Sequence, residues 1–379
     1  MAVSSASKGI NQGLEGVVVA ESGICKIDGI NGRLYYRGYA ISDLAKGSFE
    51  ETAYLLIYKK LPNRKELAAF RRKMSNERHL PNHIVRLIST FPKSTTATEA
   101  LRTAVSALAA GDPAANRLSV EDHINNGIAL IAKFPTITAY FYRMNRGLRP
   151  IKPDASLGHA ANFLYMLKGK GPSAVEEKAM DMDFILHAEH GFNASSFAAR
   201  VTISTLSDMH SAFTTGIGTL KGPLHGGAAT EAMRMMKRIG SKENVNRFVK
   251  ATLASHGRVM GFGHRIYRTY DPRARVLNGM AKEISEANRN MRWYDMAQEL
   301  EKAMAAGKGL YPNVDFYSSI VYHQLGLPEG LDTPIFAMAR SSGWVAHCIE
   351  QYQSNRLIRP VEKYTGKIGI RYIPISRRR

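Results

Sequence analysis

Strand-forming sequence is confined to the two ends of this 379-residue chain, and this restriction narrows the possible folds more than any other feature. Near the N-terminus, residues 23–41 read GICKIDGINGRLYYRGYAI, where Asp28-Gly29 and Asn31-Gly32 are turn pairs and LYYRGY is rich in strand formers. The other strand-like segment is GIRYIPI, near the C-terminus. We therefore predict a small hairpin near the N-terminus and exclude a wound α/β sheet.

The sequence between these ends reads as a succession of helices. In TTATEALRTAVSALAAG, Thr95 or Thr96 is predicted to cap the start of a helix, and Gly111 marks its end. In TPIFAMARSSGWVAHCIEQYQ, Thr333 is predicted as the cap, with Pro334 in the first turn. The pattern continues in HAANFLYMLKG, DFILHAEHGFNASSFAARVTISTLSDMHSAFTTGIGTL, NVNRFVKATLASHG and DPRARVLNGMAKEISEAN. The sequence therefore predicts a mainly α fold.

Composition and the N-terminal sequence predict a globular cytoplasmic protein. Hydrophobic residues make up 44% and charged residues 22% of the chain, which argues against long disordered segments. No uncharged apolar run of 18 residues is present, so no association with a membrane is expected. The start, MAVSSASKGINQG, lacks the apolar block of a secretory signal and the arginines of a transit peptide. Cys25 and Cys348 lack CxxC spacing, so neither a disulfide framework nor a zinc site is indicated.

A formal net charge of +20 allows three explanations: a nucleic-acid partner, anionic small substrates, or solubility alone. The charge arises from 52 Lys and Arg against 32 Asp and Glu. The sequence has no aromatic-basic RNA motif, zinc finger or recognisable helix-turn-helix, so no nucleic-acid partner is predicted. The last three residues, Arg377 to Arg379, are interpreted as a solvated tail.

Two histidine-containing segments are hard to explain by structure alone. In HAEHGFNAS, His187 and His190 are three residues apart on what is expected to be one helical face. This spacing suits a metal, but HExxH is absent and no nearby cluster supplies a third ligand, so no metal is predicted. In KGPLHGGAATEA, His225 stands between a Pro-Leu pair and two glycines, directly ahead of a predicted helix. Either this is an ordinary loop with a surface histidine, or a ligand approaches the main chain closely there.

A third segment, MGFGHRIYRTYDPRA, places glycines before His264 and three arginines after it: Arg265, Arg268 and Arg273. Glycines let a ligand approach backbone groups, and arginines bind phosphates or carboxylates in bidentate fashion. The segment therefore indicates a site for an anionic ligand.

Two further charged residues stand in apolar sequence. In YPNVDFYSS, Asp315 is either an ion-pair partner or a carboxylate made more basic by partial desolvation. In FAMARSSGW, Arg340 lies inside an otherwise apolar helix, where a carboxylate from the protein or from a substrate must meet it. Together, these segments indicate a pocket of three histidines, one aspartate and several arginines. Such a pocket suits a small polycarboxylate, with the histidines and the aspartate moving protons.

Seven motifs occur in a fixed order: LYYRGYAISDLA, HAEHGFNAS, KGPLHGGAATEA, GFGHRIYRTYDPRA, GLYPNVDFYSS, TPIFAMARSSGWVAH and NRLIRP. In these motifs and their approximate spacing, the chain resembles the citrate synthase family, most closely the short form found in bacteria and archaea. The resemblance extends from about Gly13 to Ile375. One departure is Ser318-Ser319, where the family motif has Ser-Gly. This departure leaves Asp315 untouched and bears on how tightly the following helix packs.

The resemblance implies a two-domain helical fold. A large domain would comprise residues 1–224 and 320–379, and a smaller helical domain, residues 225–319, would be inserted in it. The active site would lie in the cleft between them. The resemblance also implies a homodimer, because the arginine of the RLIRP motif reaches the neighbouring subunit's site in this family. Here that residue is Arg359.

The implied reaction condenses acetyl-CoA with oxaloacetate in the tricarboxylic acid cycle and hydrolyses citryl-CoA to citrate and CoA, without a cofactor or a metal. His225 would donate a hydrogen bond to the thioester carbonyl and stay neutral at the positive end of a helix dipole. Asp315 would remove a methyl proton, and His264 would protonate the ketone oxygen. The substrate carboxylates would be held by His190, Arg273, Arg340 and Arg359. CoA would be bound by Met260, Gly261, Phe262, Gly263 and Arg268.

Three alternatives stay open on the sequence. The nearest is 2-methylcitrate synthase, which shares all these motifs and accepts propionyl-CoA, because one methylene in a pocket is worth only about 1–3 kcal/mol. A basic nucleic-acid-binding protein is a remote alternative suggested by the net charge. A catalytically inactive homologue is opposed by the intact His225, His264 and Asp315.

Overall fold

The structure is a computed structural model that describes residues 10–378. These residues form mainly α-helices and one small sheet near the N-terminus, which confirms the predicted mainly helical class. Residues 1–9, part of the expected signal-free start, and Arg379 of the expected solvated tail lie outside the described residues. None of the helices within residues 10–378 is both long and apolar enough to cross a membrane.

The strands are β1 (Cys25–Asp28), β2 (Arg33–Tyr36) and β3 (Tyr39–Ala40). The helices are α1 (Ile41–Leu44), α2 (Phe49–Tyr58), α3 (Arg64–Asn76), α4 (Asn82–Thr90), α5 (Ala97–Ala110), α6 (Val120–Asn145), α7 (His159–Lys168), α8 (Ala174–His187), α9 (Ala194–Ser204), α10 (Met209–Leu220), α11 (Ala228–Ile239), α12 (Val245–Ala254), α13 (Pro272–Ala287), α14 (Arg292–Lys308), α15 (Val314–Gln324) and α16 (Asp332–Gln353).

The predicted hairpin is present, and its turn contacts a segment from the other half of the chain. β1 and β2 pair antiparallel, and β3 adds a short third strand beside β2. The backbone N–H of Arg268 donates to the carbonyl oxygen of Gly29, over 2.8 Å. Any side chain on Gly29 would collide with this segment, because its Cβ would lie 2.4 Å from the carbonyl oxygen of Ile266. The hairpin therefore packs against the segment that follows His264 and supports it.

The prediction of a strand at GIRYIPI is wrong. Residues 369–374 form no strand, a short 3₁₀ turn follows at Ile375–Arg377, and this whole end of the chain is exposed. Its strand-forming residues find no partner strand among the described residues, and an unpaired strand has no ladder of hydrogen bonds to hold it.

Helix α5 begins and ends where its sequence signals indicated. Thr96 accepts a hydrogen bond from the backbone of Glu99, whose side chain accepts one from the backbone of Thr96, and Gly111 follows the last turn. This reciprocal pair satisfies two amide groups that a helix start would otherwise leave unpaired.

The long helical pattern from residue 183 to 220 is three helices rather than one. Helix α8 ends at His187, so His187 and His190 do not share a helical face as expected. Gly191 has a φ of +61°, which is not helical, so the link after α8 stays a loop until Asn193 caps α9. Asp208 caps α10 in the same way. The break places His190 in a loop, where its ring is free to face a cavity.

Helix α16 begins earlier than expected and runs through the core. Leu331, rather than Thr333, occupies the cap position, and the hydroxyl of Thr333 instead donates to the carbonyl oxygen of Gly226. Most of the helix is buried, including Arg340 and Trp344. Thr333 thus ties the loop that carries His225 to the start of the helix that carries Arg340.

Helices α11 to α15 pack mainly on one another. Helix α15 lies against α11 and α13, and α12 lies against α14, while α13 also contacts α8. These helices fall within residues 225–324, close to the range in which the small domain is expected. The division into two domains stays a prediction.

Candidate active site

A cavity of about 1100 Å³ brings together six side chains that the sequence singled out. They are His190, His225, His264, Arg273, Asp315 and Arg340. Each comes from a different loop or from a turn of a different helix, apart from Arg340, which projects from the middle of α16. The cavity is large enough for a coenzyme thioester's acyl end together with a small acid, since small-molecule sites span roughly 300–1,000 Å³.

The hydrogen bonds of His264 fix which ring nitrogen carries its proton. Its Nδ1 accepts hydrogen bonds from the backbone N–H groups of Ile266 and Tyr267, over 3.0 and 3.1 Å. Because backbone amides only donate, the proton of the neutral ring lies on Nε2. Burial, helped by the nearby guanidinium of Arg273, lowers the pKa of His264 to about 4. His264 therefore presents a neutral N–H donor to the cavity.

His225 is held by the start of helix α9. The backbone N–H of Ser195, in the first turn of α9, donates to its Nε2 over 3.3 Å, and the hydroxyl oxygen of Ser195 lies 2.9 Å from the same nitrogen. The proton of the ring therefore lies on Nδ1. Burial, and then Arg340, lower the pKa of His225 to about 4. The amide that reaches the ring belongs to α9, whereas the sequence pointed to α11, the helix that follows the histidine.

Asp315 lies in the first turn of α15, two residues after the cap Asn313. It forms no salt bridge with the described residues. Burial raises the pKa of Asp315, although His187 and Arg273 oppose the shift. Of the two possibilities that the sequence left open for Asp315, this environment favours the more basic carboxylate.

A fully buried carboxylate anchors the helix that carries Asp315. Asp183, on α8, accepts hydrogen bonds from the hydroxyls of Ser318 and Tyr322, over 3.0 and 2.7 Å. At the next position, the hydroxyl of Ser319 turns back and donates to the carbonyl oxygen of Phe316, one helical turn earlier. The Ser-Ser departure is thus accommodated inside α15 without an unpaired hydroxyl.

Arg340 and Arg273 are both buried, but their guanidinium groups have different hydrogen-bond partners. The Nε of Arg340 donates to the carbonyl oxygen of His187, over 2.7 Å, while its Nη1 has no hydrogen-bond partner among residues 10–378. Arg273 instead forms two hydrogen bonds with Asp271, of 3.1 and 2.8 Å, a pairing that sequence analysis missed. Arg340 therefore has an unused donor beside the cavity, which a substrate carboxylate would satisfy.

His190 contacts both His264 and the phenol of Tyr267. Its ring centroid is 5.2 Å from that of His264, and its Nε2 is 3.2 Å from the hydroxyl oxygen of Tyr267. Burial holds the pKa of His190 well below its usual range, and Arg273, His264 and Arg340 add to the effect. His190 is therefore neutral in this pocket.

The residues expected to bind CoA do not line this cavity, but their loop is fastened to Asp315's helix. The side chain of Asn313 donates to the carbonyl oxygen of Gly263, and its backbone N–H donates to that of Gly261, over 3.0 and 2.9 Å. Both glycines have φ near +81°, a conformation that favours glycine. Arg268 is exposed nearby, on the segment that touches the hairpin. Movement of this loop would therefore move the start of α15.

Arg359 lies away from the six cavity residues. It is exposed and lines a second cavity of about 1120 Å³, together with Arg200, Glu350 and residues 19–23. Its expected place in a neighbouring subunit stays a prediction.

Several residues around the site were missed by sequence analysis. Tyr267, Asp271 and Ser195 form hydrogen bonds with His190, Arg273 and His225, respectively, and only their position inside the quoted motifs pointed to them. Residues 13–20 form part of the cavity wall although all of them are exposed. The GLEGVVVA sequence gave no signal beyond an apolar run. Within residues 10–378, no group of three or more His, Cys, Asp or Glu side chains is arranged to hold a metal ion.

Comparison with known proteins shows which family the chain is similar to. The family model described as "Citrate synthase, C-terminal domain" matches residues 13–361. A citrate synthase of Haloferax volcanii is 45% identical over 377 residues, covering 97% of this chain and 99% of that protein. Citrate synthase 2 of Bacillus subtilis is 44% identical over 369 residues, with coverage of 97% and 99%. A 2-methylcitrate synthase of Mycobacterium tuberculosis is 41% identical over 363 residues, with coverage of 94% and 91%.

Solved structures share the fold over nearly the whole chain. The crystal structure of citrate synthase from Thermotoga maritima superposes with a TM-score of 0.87 at 42% identity, covering 98% of this chain and 99% of that chain. Citrate synthase from Thermoplasma acidophilum, in a ternary complex with carboxymethyl coenzyme A and oxaloacetate, superposes with a TM-score of 0.89 at 34% identity. That comparison covers 98% of this chain and 100% of that chain.

Proposed function

This chain belongs to the citrate synthase family, and from that premise we propose that it condenses acetyl-CoA with oxaloacetate and hydrolyses the resulting citryl-CoA to citrate and CoA. It would act as an acyltransferase that converts the acyl group into an alkyl group on transfer. The observation that carries the proposal is the cavity itself. It combines the Asp315 carboxylate, which forms no salt bridge within residues 10–378 and whose pKa is raised, with two neutral histidine donors and the unused donor of Arg340.

The first step is proton removal from the methyl group of acetyl-CoA. Asp315 accepts this proton, and the charge that develops on the thioester oxygen is stabilised by the Nδ1–H of His225. A thioester methyl group is a very weak acid, so the base is effective only when a donor is already in place at the oxygen. A neutral donor suits this step because it gives no proton away before the enolate forms.

The second step forms the carbon–carbon bond. Arg340, Arg273 and His190 hold the carboxylates of oxaloacetate, and the Nε2–H of His264 points at its ketone oxygen. As the enolate carbon attacks the ketone carbon, the ketone oxygen takes the proton from His264. Fixing the two reactants side by side contributes on the order of 7–11 kcal/mol to lowering the barrier. Water then cleaves the thioester of citryl-CoA.

The coenzyme and the assembly complete the proposal. The backbone of Met260, Gly261, Phe262 and Gly263 would embrace the adenine of CoA, and Arg268 would meet its phosphates; no further cofactor is required. The name of the Thermoplasma complex, which contains a CoA derivative and oxaloacetate, supports this choice of ligands. The enzyme would be a homodimer in which Arg359 reaches the neighbouring site. Its place in the tricarboxylic acid cycle and its cytoplasmic location stay predictions.

Release of free CoA thiol tests the reaction. The purified protein is mixed with acetyl-CoA and oxaloacetate, and a thiol reagent follows CoA release, with each substrate omitted in turn. Thiol release that requires both substrates is expected. Release from acetyl-CoA alone, or none with both present, would contradict the proposed condensation.

A second candidate function is supported by the 2-methylcitrate synthase relative. Propionyl-CoA carries one more methylene, and this difference changes binding by only about 1–3 kcal/mol. We expect kcat/KM for acetyl-CoA to exceed that for propionyl-CoA. The reverse order would assign the chain to 2-methylcitrate synthesis.

A further inference from the structure

Tyr267 stands behind the cavity and touches both histidines of the proposed oxaloacetate site. Its side chain is only 4% exposed, and it does not line the cavity. Its ring centroid lies 4.7 Å from that of His264 and 5.6 Å from that of His190. Its hydroxyl oxygen is 3.2 Å from the Nε2 of His190. His190 therefore lines the cavity, while the Nε2 of its ring contacts Tyr267.

The direction of this hydrogen bond follows from the surroundings of the phenol. Burial raises the pKa of Tyr267, so the hydroxyl keeps its proton. Among residues 10–378, the hydroxyl has one hydrogen-bond partner, the Nε2 of His190. A buried hydroxyl that donates to nothing is costly, so its proton goes to that nitrogen. A neutral histidine has one accepting nitrogen, and the other one then carries the hydrogen.

We propose that Tyr267 is a positioning residue, which donates its phenolic proton to the Nε2 of His190 and so presents the Nδ1–H of His190 to a carboxylate oxygen of oxaloacetate. The part that concerns oxaloacetate rests on the proposed function. The tautomer of His190 does not, because it is a property of the substrate-free protein. Residues that contact His190 or lie near it, namely Arg273, His264, Arg340 and His187, all favour its neutral form.

The same residue holds His264 by a different group. The backbone N–H of Tyr267, not its side chain, donates to the Nδ1 of His264. Replacing Tyr267 with phenylalanine therefore removes the hydroxyl but keeps both the ring and the hydrogen bond to His264. The loss should appear in the binding of oxaloacetate and not in the proton transfer from His264.

Steady-state kinetics test this separation. In Tyr267→Phe we expect KM for oxaloacetate to rise about five- to tenfold, as for the loss of one oriented hydrogen bond, with kcat changed less than about twofold. Tyr270→Phe is the matched control, because the hydroxyl of Tyr270 donates to Glu301 instead, over 3.2 Å. An unchanged KM in Tyr267→Phe, or an equal rise in both variants, would overturn the proposal.

The tautomer is read directly from ¹⁵N resonances of the histidine side chains in the full-length, substrate-free protein. The His190 signals are assigned as those absent from His190→Gln. We expect a protonated Nδ1 and an unprotonated Nε2 in the wild type, and a mixture of tautomers in Tyr267→Phe. A wild-type ring protonated at Nε2 would refute the assignment, whatever the kinetics show. If instead the wild type released no CoA, the proposed function would fail while this result kept its meaning.

Discussion

Arg340 and Arg359 lie close in sequence, yet their surroundings are opposite. Arg340 sits in the middle of α16, is 1% exposed, and is held by the carbonyl oxygen of His187. Arg359 lies beyond the end of α16, in a segment from 354 to 378 that is almost wholly exposed. Packing within the chain fixes the side chain of Arg340, whereas it leaves the side chain of Arg359 exposed. A residue of the second kind acts at a fixed place only against another surface, and the proposed partner subunit provides one.

Among the residues inside the cavity, replacement of Asp315 should have the largest effect. Asp315→Asn should lower kcat by about a thousandfold, because the base is lost while the oxaloacetate contacts remain. CoA release measures the rate, and calorimetric titration with oxaloacetate measures binding, which should be retained. Asp295→Asn, at an exposed aspartate in the first turn of α14, is the control. Wild-type turnover in Asp315→Asn would remove this residue from the mechanism.

Replacing Arg340 separates its role in binding from its effect on stability. Arg340→Met should raise KM for oxaloacetate about a hundredfold, since charge-assisted hydrogen bonds to a carboxylate are lost. The same change should increase the free energy of unfolding by about 1–2 kcal/mol, because it removes a buried charge that forms no salt bridge within residues 10–378 and whose burial is only partly offset by Glu189. Denaturant unfolding measures the second effect.

Arg273→Met is the contrasting variant for this test. It strands the buried carboxylate of Asp271 and should destabilise the protein by about 3 kcal/mol. Equal destabilisation by both substitutions would show that Arg340 is in fact neutralised within its own chain.

The proposed role of the exposed Arg359 in the neighbouring site is tested by complementation between subunits. Arg359→Ala should raise KM for oxaloacetate about tenfold in a protein that stays dimeric. When Arg359→Ala and Asp315→Asn chains are unfolded together and refolded at equal amounts, half of the dimers are mixed and each has one intact site. At oxaloacetate concentrations well below KM, where Arg359→Ala homodimers contribute little, about a quarter of wild-type activity should then return. No recovery, or a fully active monomer in sedimentation, would show that Arg359 does not act across a subunit boundary.

The smallest expected effect is on pH dependence. The pKa values of His225 and His264 are lowered to about 4 from an ordinary value near 6.5, so both rings are neutral donors throughout the neutral range. Their contribution to kcat/KM should change less than about twofold between about pH 6 and 8 and decline only towards pH 4. A fall centred near pH 6.5 that disappears in His225→Asn or His264→Asn would contradict this protonation state.

The sequence predicted those parts of the fold whose causes are local. The hairpin turns at Asn31-Gly32 and the cap at Thr96 depend on side chains within a few residues, and both are present. The errors arose where distant contacts decided the outcome. Thr333 donates to Gly226 instead of capping α16, and GIRYIPI finds no partner strand within residues 10–378.

The sequence predicted which residues form the candidate site better than it predicted the hydrogen bonds between them. Histidines, arginines and an aspartate in unusual sequence surroundings were recognisable because each is costly to bury without a purpose. The partners that set their state were not, since Ser195 and Tyr267 look ordinary in the sequence. Which nitrogen of a histidine carries the proton depends on such partners, and the sequence holds no local sign of them.

The attachment of Asn313 to Gly261 and Gly263 has a consequence for substrate discrimination. The part of the coenzyme furthest from the reacting carbon would touch the same loop that is fastened to the base. A shortened thioester without the nucleotide would leave that loop unfilled and Asp315 less well placed, so it would lose turnover as well as affinity. With such a linkage, the reaction would be fast only when the nucleotide part of the coenzyme is present. Other thioesters in the cell would then react slowly even where their acyl groups fit the cavity.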